Sequence, residues 1–151
     1  MSNLFYKVVR VFSRASKEYF SLYYISYGYE APSINSKEGK DWILKYRLNK
    51  VTRPKIGSIF AFGTLKDASS FVYRIARFGM ILEGEGDASA IQRREHVIST
   101  RDKAKEFWMH LTSDYPTMWA YSNTESNPQG TILLDCFKPL REVDCNGNTV
   151  I

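Results

Sequence analysis

Histidine and cysteine are scarce, two of each in 151 residues. Cys136 and Cys145 stand nine apart near the C-terminal end, and with only two histidines the chain offers no familiar zinc spacing and no disulfide framework. No cofactor or metal is expected. No apolar run of about 18 residues occurs, which excludes a membrane-spanning helix. Residues 1 to 7 lack the apolar stretch and small-residue cleavage site of a signal peptide, so the chain reads as cytoplasmic, with reduced thiols. There is no internal repeat, no low-complexity segment and no run of five like charges. The acidic residues Glu83, Glu85 and Asp87 do not match the spacing of a calcium-binding loop.

Apolar residues are plentiful, at 44%, and 15% of the chain is aromatic. A chain of this length buries roughly 68–70% of the surface its unfolded form exposes, so residues 1 to 151 are expected to form one domain with its own core. Charge is uneven. Residues 1 to 77 carry 14 basic and 5 acidic side chains, whereas residues 78 to 151 carry 7 and 11. A basic half points to an anionic partner, or to two halves that pack with complementary fields.

Residues 4 to 12 and 19 to 27 are rich in β-branched and aromatic residues and predict a hairpin. Residues 31 to 40 combine Pro, Gly, Asn and Ser and predict an exposed loop. From 41 to 48, Trp42, Leu44, Tyr46 and Leu48 alternate with Ile43, Lys45 and Arg47, the pattern of a strand with one buried and one basic face. A short strand over 58 to 62 leads to Thr64 and Asp67, a capping-box start with Asp in place of Glu. The helix that follows places Leu65, Ala68, Phe71, Val72 and Ile75 on one stripe. Residues 78 to 82 predict a strand and 83 to 87 an acidic, glycine-rich turn. Residues 88 to 99 show no clean periodicity. A second helix is expected over about 101 to 112, strands over 117 to 121 and 131 to 137, a polar loop over 122 to 130, and a frayed tail over 144 to 151. The class is α+β, an antiparallel sheet of five to seven strands with two helices packed on one face.

Three stretches resemble a pattern shared by small, uncharacterised phage-encoded proteins. They are residues 6 to 10, residues 44 to 62 with Ala68 and Phe71, and residues 130 to 143. The resemblance carries no catalytic signature. What it implies is a setting in which such proteins act as inhibitors, decoys or ligand sponges against host defences.

Among candidate sites, Lys45, Arg47, Lys50, Arg53 and Lys55 form a basic cluster suited to phosphate, with Trp42 or Tyr46 as rings that could stack on a base. The same residues also fit a charged strand edge over an aromatic core. Arg93 and Arg94 are further candidates for anion contact. Tyr23, Tyr24 and Tyr27 suit an interface with a partner or a second copy of the chain, or the wetted side of a sheet. The leading expectation is a non-enzymatic binding protein that sequesters an anionic nucleotide signal or inhibits a host defence protein. The alternative is a nucleic-acid-binding module using the basic–aromatic strand face. A small hydrolase or transferase would need His96, Asp135 and Cys136 to converge in one cleft.

Overall fold

The computed structural model describes residues 3 to 21, 44 to 55, 57 to 75, 77 to 97 and 124 to 150. In chain order these form β1 (Asn3–Ser13), β2 (Glu18–Ser21), β3 (Lys45–Arg47), β4 (Ile59–Phe62), α1 (Leu65–Arg74), β5 (Met80–Ala88), β6 (Glu95–Val97), β7 (Thr124–Ser126) and β8 (Thr131–Val143). The main sheet is antiparallel and six-stranded, in the order β3-β2-β1-β4-β8-β5, and β1 also pairs with β5. That extra pairing closes β1, β4, β8 and β5 into a ring. A second, two-stranded sheet joins β6 to β7. One helix is present among the described residues. The second helix expected over 101 to 112 lies outside them, as do the loop over 31 to 40 and the strand over 117 to 121.

The period-2 alternation of β1 sorts its side chains between two cores. Phe5 and Val9 join Tyr19, Tyr46, Ile59, Ala61, Leu82, Leu134 and Phe137 in one cluster. Val8 joins Phe62, Ala68, Ile81 and Val143 in the other, where Leu65, Phe71 and Val72 of α1 pack. Tyr46, Phe137, Ile59, Leu82, Leu133, Leu134 and Val9 are fully enclosed. Each stabilises the fold by roughly 1.5–3 kcal/mol through burial of its apolar surface. The ring of Tyr46 meets that of Phe137 edge-on, with centroids 6.1 Å apart. Beside this cluster the buried Glu142 accepts a hydrogen bond from the Tyr19 hydroxyl at 3.0 Å and two from Arg14, at 3.3 and 3.1 Å. Burial and the Glu142 carboxylate together push the Tyr19 hydroxyl up to about 12.

Thr64 caps α1 as expected. Its hydroxyl oxygen accepts from the Asp67 amide at 3.2 Å, and its backbone is extended, as an N-cap requires. Ile75 departs from the expected stripe. It is the C-cap, outside helical geometry, and is 47% exposed.

Residues 83 to 87 are not a turn; they lie in the middle of β5. Gly84 and Gly86 face the interior, and their role is close approach to β8. A Cβ on Gly84 would run into the carbonyl oxygen of Lys138, and one on Gly86 would lie 2.8 Å from that of Cys136. Glycine is therefore required by a neighbouring backbone, not by chain reversal. Two bulges on β8, leaving Leu140 and Asp135 without partners in the register, bend this long strand around the ring. Pro139 is accommodated within it at the first bulge.

The C-terminal residues also differ from expectation. Residues 144 to 150 fold back instead of fraying: the Asp144 carboxylate accepts from the amides of Asn146 and Asn148, and the Val150 amide donates to Glu142. The stretch without periodicity owes its order to side chains. Gln92 replaces a strand neighbour for Leu133, accepting from its amide at 2.8 Å and donating to its carbonyl at 2.9 Å. Part of the expected polar loop over 122 to 130 is β7, paired to β6. Among the described residues no helix is long and apolar enough to cross a membrane.

Candidate anion-binding face

The alternation that predicted the third strand places its charges as expected. Tyr46 points inward and is 0% exposed, while Lys45 and Arg47 on either side are exposed on the outer face of β3. The chain then turns at Asn49, whose φ of 66° puts it in the left-handed region that Asn tolerates. The Asn49 amide donates to Pro139 at 2.7 Å, and Thr52 exchanges backbone hydrogen bonds with Phe137 at 2.8 and 3.0 Å. The Thr52 hydroxyl donates to the Lys45 carbonyl at 2.9 Å. These bonds hold residues 49 to 52 as a strap between β3 and β8.

Pro54 keeps Arg53 extended, so exposure alternates along the strap. Val51, Arg53 and Lys55 are exposed, while Thr52 and Pro54 are half-buried. Lys45, Arg47, Lys50, Arg53 and Lys55 are therefore all exposed along β3 and the strap, which continues through residue 55. Lys45 forms an ion pair with Glu18. That contact holds the Glu18 carboxyl below the usual carboxylate range, with the field of Arg47 adding to it. At the strap's far end the positive field of Arg53 reaches the Cys136 thiol.

One of the expected aromatic contributions changes. Tyr46 does not stack on a ligand, because its ring lies inside the core with no open face. Its hydroxyl is buried without a hydrogen-bond partner among the described residues. Trp42 lies outside those residues, as do Tyr23, Tyr24 and Tyr27.

Arg93 and Arg94 are not part of this face in the hydrogen-bond pattern. Their carbonyls accept from the Asn127 side chain at 2.8 Å and the Asn127 amide at 2.7 Å, which ties them to the segment after β7. Arg94 is exposed and Arg93 half-buried.

The histidine that a Cys–His or Ser–His–Asp arrangement needs lies outside the described residues, His96 by its side chain and His110 altogether. Cys136 is fully buried, its Sγ lies 3.4 Å from Asp87 Oδ2, and burial pushes the thiol up, away from the thiolate that nucleophilic chemistry needs. Asp135, exposed at the bulge, accepts from the Ser89 hydroxyl at 2.7 Å. His96 stands on β6, opposite Glu125 of β7. Among the described residues, no group of three or more His, Cys, Asp or Glu side chains is placed to hold a metal ion.

Besides the buried Glu142, the half-buried Lys7 is a charge at the core that the sequence did not suggest. Lys7 shares the inward face of β1 with Phe5 and Val9, and its ammonium donates to the Phe60 carbonyl at 2.7 Å. Desolvation lowers it to about 8. A cleft of about 180 Å³ runs along α1 from Asp67 to Ile75, closed on the other side by Pro128 and Gln129.

Comparison with protein-family models, curated proteins and solved structures finds no match to this chain.

Proposed function

We propose that this chain is a non-enzymatic binding protein that engages the phosphate backbone of a nucleic acid with the outer face of β3 and the strap. The observation that supports the reading is the separation of roles at residues 45 to 47: the ring goes to the core and both cations go to solvent. Strand geometry sets Lys45 and Arg47 roughly 6.6–6.8 Å apart along β3, and the strap adds Lys50, Arg53 and Lys55 beside them. A row of exposed cations on hydrogen-bonded backbone suits an extended polyanion, whose affinity comes from charge neutralisation.

A nucleotide held by base stacking needs an aromatic face at the same place, and Tyr46 does not supply one. With Tyr46 in the core and Trp42 outside the described residues, the exposed cations favour an extended polyanion over a nucleotide stacked on Tyr46. The counter-defence setting implied by the resemblance to phage-encoded proteins belongs to the same proposal, with host nucleic acid as the material bound.

Fluorescence anisotropy with a labelled single-stranded oligonucleotide tests the reading. Arg47→Ala and Arg53→Ala should each weaken binding several-fold, with unchanged folding, across unrelated oligonucleotide sequences. Equal affinity in the wild type and both variants would remove the proposal.

A further inference from the structure

The C-terminal end of α1 breaks the rule by which the rest of the helix is built. Up to Val72 it buries Ala68 and packs Leu65, Phe71 and Val72 on the core. Its end exposes three large apolar side chains within six residues: Tyr73 at 75%, Ile75 at 47% and Phe78 at 66%. Isolated exposed apolar residues are ordinary; three at one helix end exceed that scatter.

Two arginines accompany it. Arg77 donates from Nε to the Tyr73 carbonyl at 3.3 Å and places its guanidinium 6.0 Å from the centroid of the Tyr73 ring. Arg74, with Phe71 and Ile75, lines the cleft against Pro128 and Gln129. Residues 68 to 82 contain these two cations and no carboxylate. The nearest acid on the helix, Asp67, lines the same cleft and is engaged by the Thr64 hydroxyl, which donates to it at 2.9 Å. Positive charge at a helix C-terminus offsets the helix dipole, which accounts for the arginines alone but not for the exposed rings. Tyr, Phe and Arg together are the composition enriched at the centres of protein interfaces.

We infer that this end of α1 docks an acidic protein segment through an apolar anchor. The anchor packs on Tyr73, Ile75 and Phe78 beside the cleft, and flanking carboxylates pair with Arg74 and Arg77. This surface is separate from the β3–strap face and uses none of its residues. The two faces would let one chain hold a nucleic acid and a protein together.

A displayed library of random dodecapeptides is the probe. Selection against the wild-type chain, with the Phe78→Ser variant as counter-selector, is expected to enrich peptides that carry an aromatic or leucine anchor beside Asp or Glu. Their affinity should fall at least tenfold in Tyr73→Ser and in Phe78→Ser, and Arg74→Glu with Arg77→Glu should abolish the acidic preference. All substituted residues are exposed, and circular dichroism checks that each variant keeps its fold. Peptides without acidic enrichment, or acidic peptides that bind the variants as well as the wild type, would overturn the inference. So would a concentration-dependent dimer in sedimentation that Phe78→Ser dissolves, because the occupant would then be a second copy of the chain.

Discussion

Replacing Tyr46 by phenylalanine removes one oxygen from the centre of the core, and the expected effect is a gain in stability. Tyrosine to phenylalanine changes at buried positions ordinarily cost stability, because the hydroxyl has a partner. Here the residue is 0% exposed and the hydroxyl is without a partner among the described residues. Folding thus strips water from the hydroxyl and returns nothing for it, at a cost of about 1–3 kcal/mol. The ring keeps its edge-on contact with Phe137 in the variant. Allowing for the small space left by the oxygen, the net gain is about 1–2 kcal/mol, which raises Tm by roughly 2–8 °C for a domain of this size. Urea and thermal unfolding followed by circular dichroism measure both quantities. Binding to an oligonucleotide should be unchanged, because the ring faces away from the cationic surface. A loss of 1 kcal/mol or more would refute the reasoning, since it would mean that the hydroxyl is hydrogen-bonded in the folded protein.

Lys7→Met should also stabilise the chain, by about 2–3 kcal/mol at pH 7. The folded ammonium is lowered from 10.5 to about 8, so below pH 8 the protein carries the full cost of a desolvated charge. Between pH 8 and 10.5 the unfolded chain binds more protons than the folded one, so wild-type stability rises with pH there. The difference between the two proteins in urea unfolding should shrink over that window. Gly84→Ala should destabilise by about 3 kcal/mol or more, because its Cβ meets the backbone of Lys138 and Pro139. Gly63→Ala, with Ile132 Cγ1 at 3.5 Å from the new Cβ, is the matched control and should change stability little by thermal melt. Mass spectrometry after iodoacetamide treatment of the native protein should find the exposed Cys145 labelled and the buried Cys136 protected until urea is added.

The parts of the fold legible in the sequence are those where one local pattern decides the outcome. Alternation at 44 to 48 separates Tyr46 from Lys45 and Arg47, and Thr64 signals the start of α1 three residues before the amide it caps. What the sequence hides depends on distant backbone. Glu83, Gly84, Glu85, Gly86 and Asp87 look like a turn, because glycine there serves contact with β8 some fifty residues away. Gln92 stands in for a strand beside Leu133, which no propensity signals. Ile75 reads as the last residue of the apolar stripe, whereas helix geometry ends before it can turn inward.

The candidate site divides the same way. The exposure of its cations was legible, since the strand pattern turns Lys45 and Arg47 away from Tyr46. The stacking role of Tyr46 was misplaced because a buried ring and a binding ring have the same identity in a sequence. The exposed end of α1 left only one signal: two arginines and no acid over residues 68 to 82.

The most direct test of the central claim is the salt dependence of oligonucleotide binding by the wild-type chain, set beside that of a mononucleotide. Binding through phosphates alone loses about 0.7 in logarithmic slope per contacted phosphate of a single strand, so three to five contacts give a slope between about −2 and −3.5. The account predicts a slope in that range, a flatter one in Arg47→Ala and Arg53→Ala, and weak mononucleotide binding. A tight mononucleotide complex that salt barely affects would contradict it and point to an enclosed pocket instead of an open cationic face.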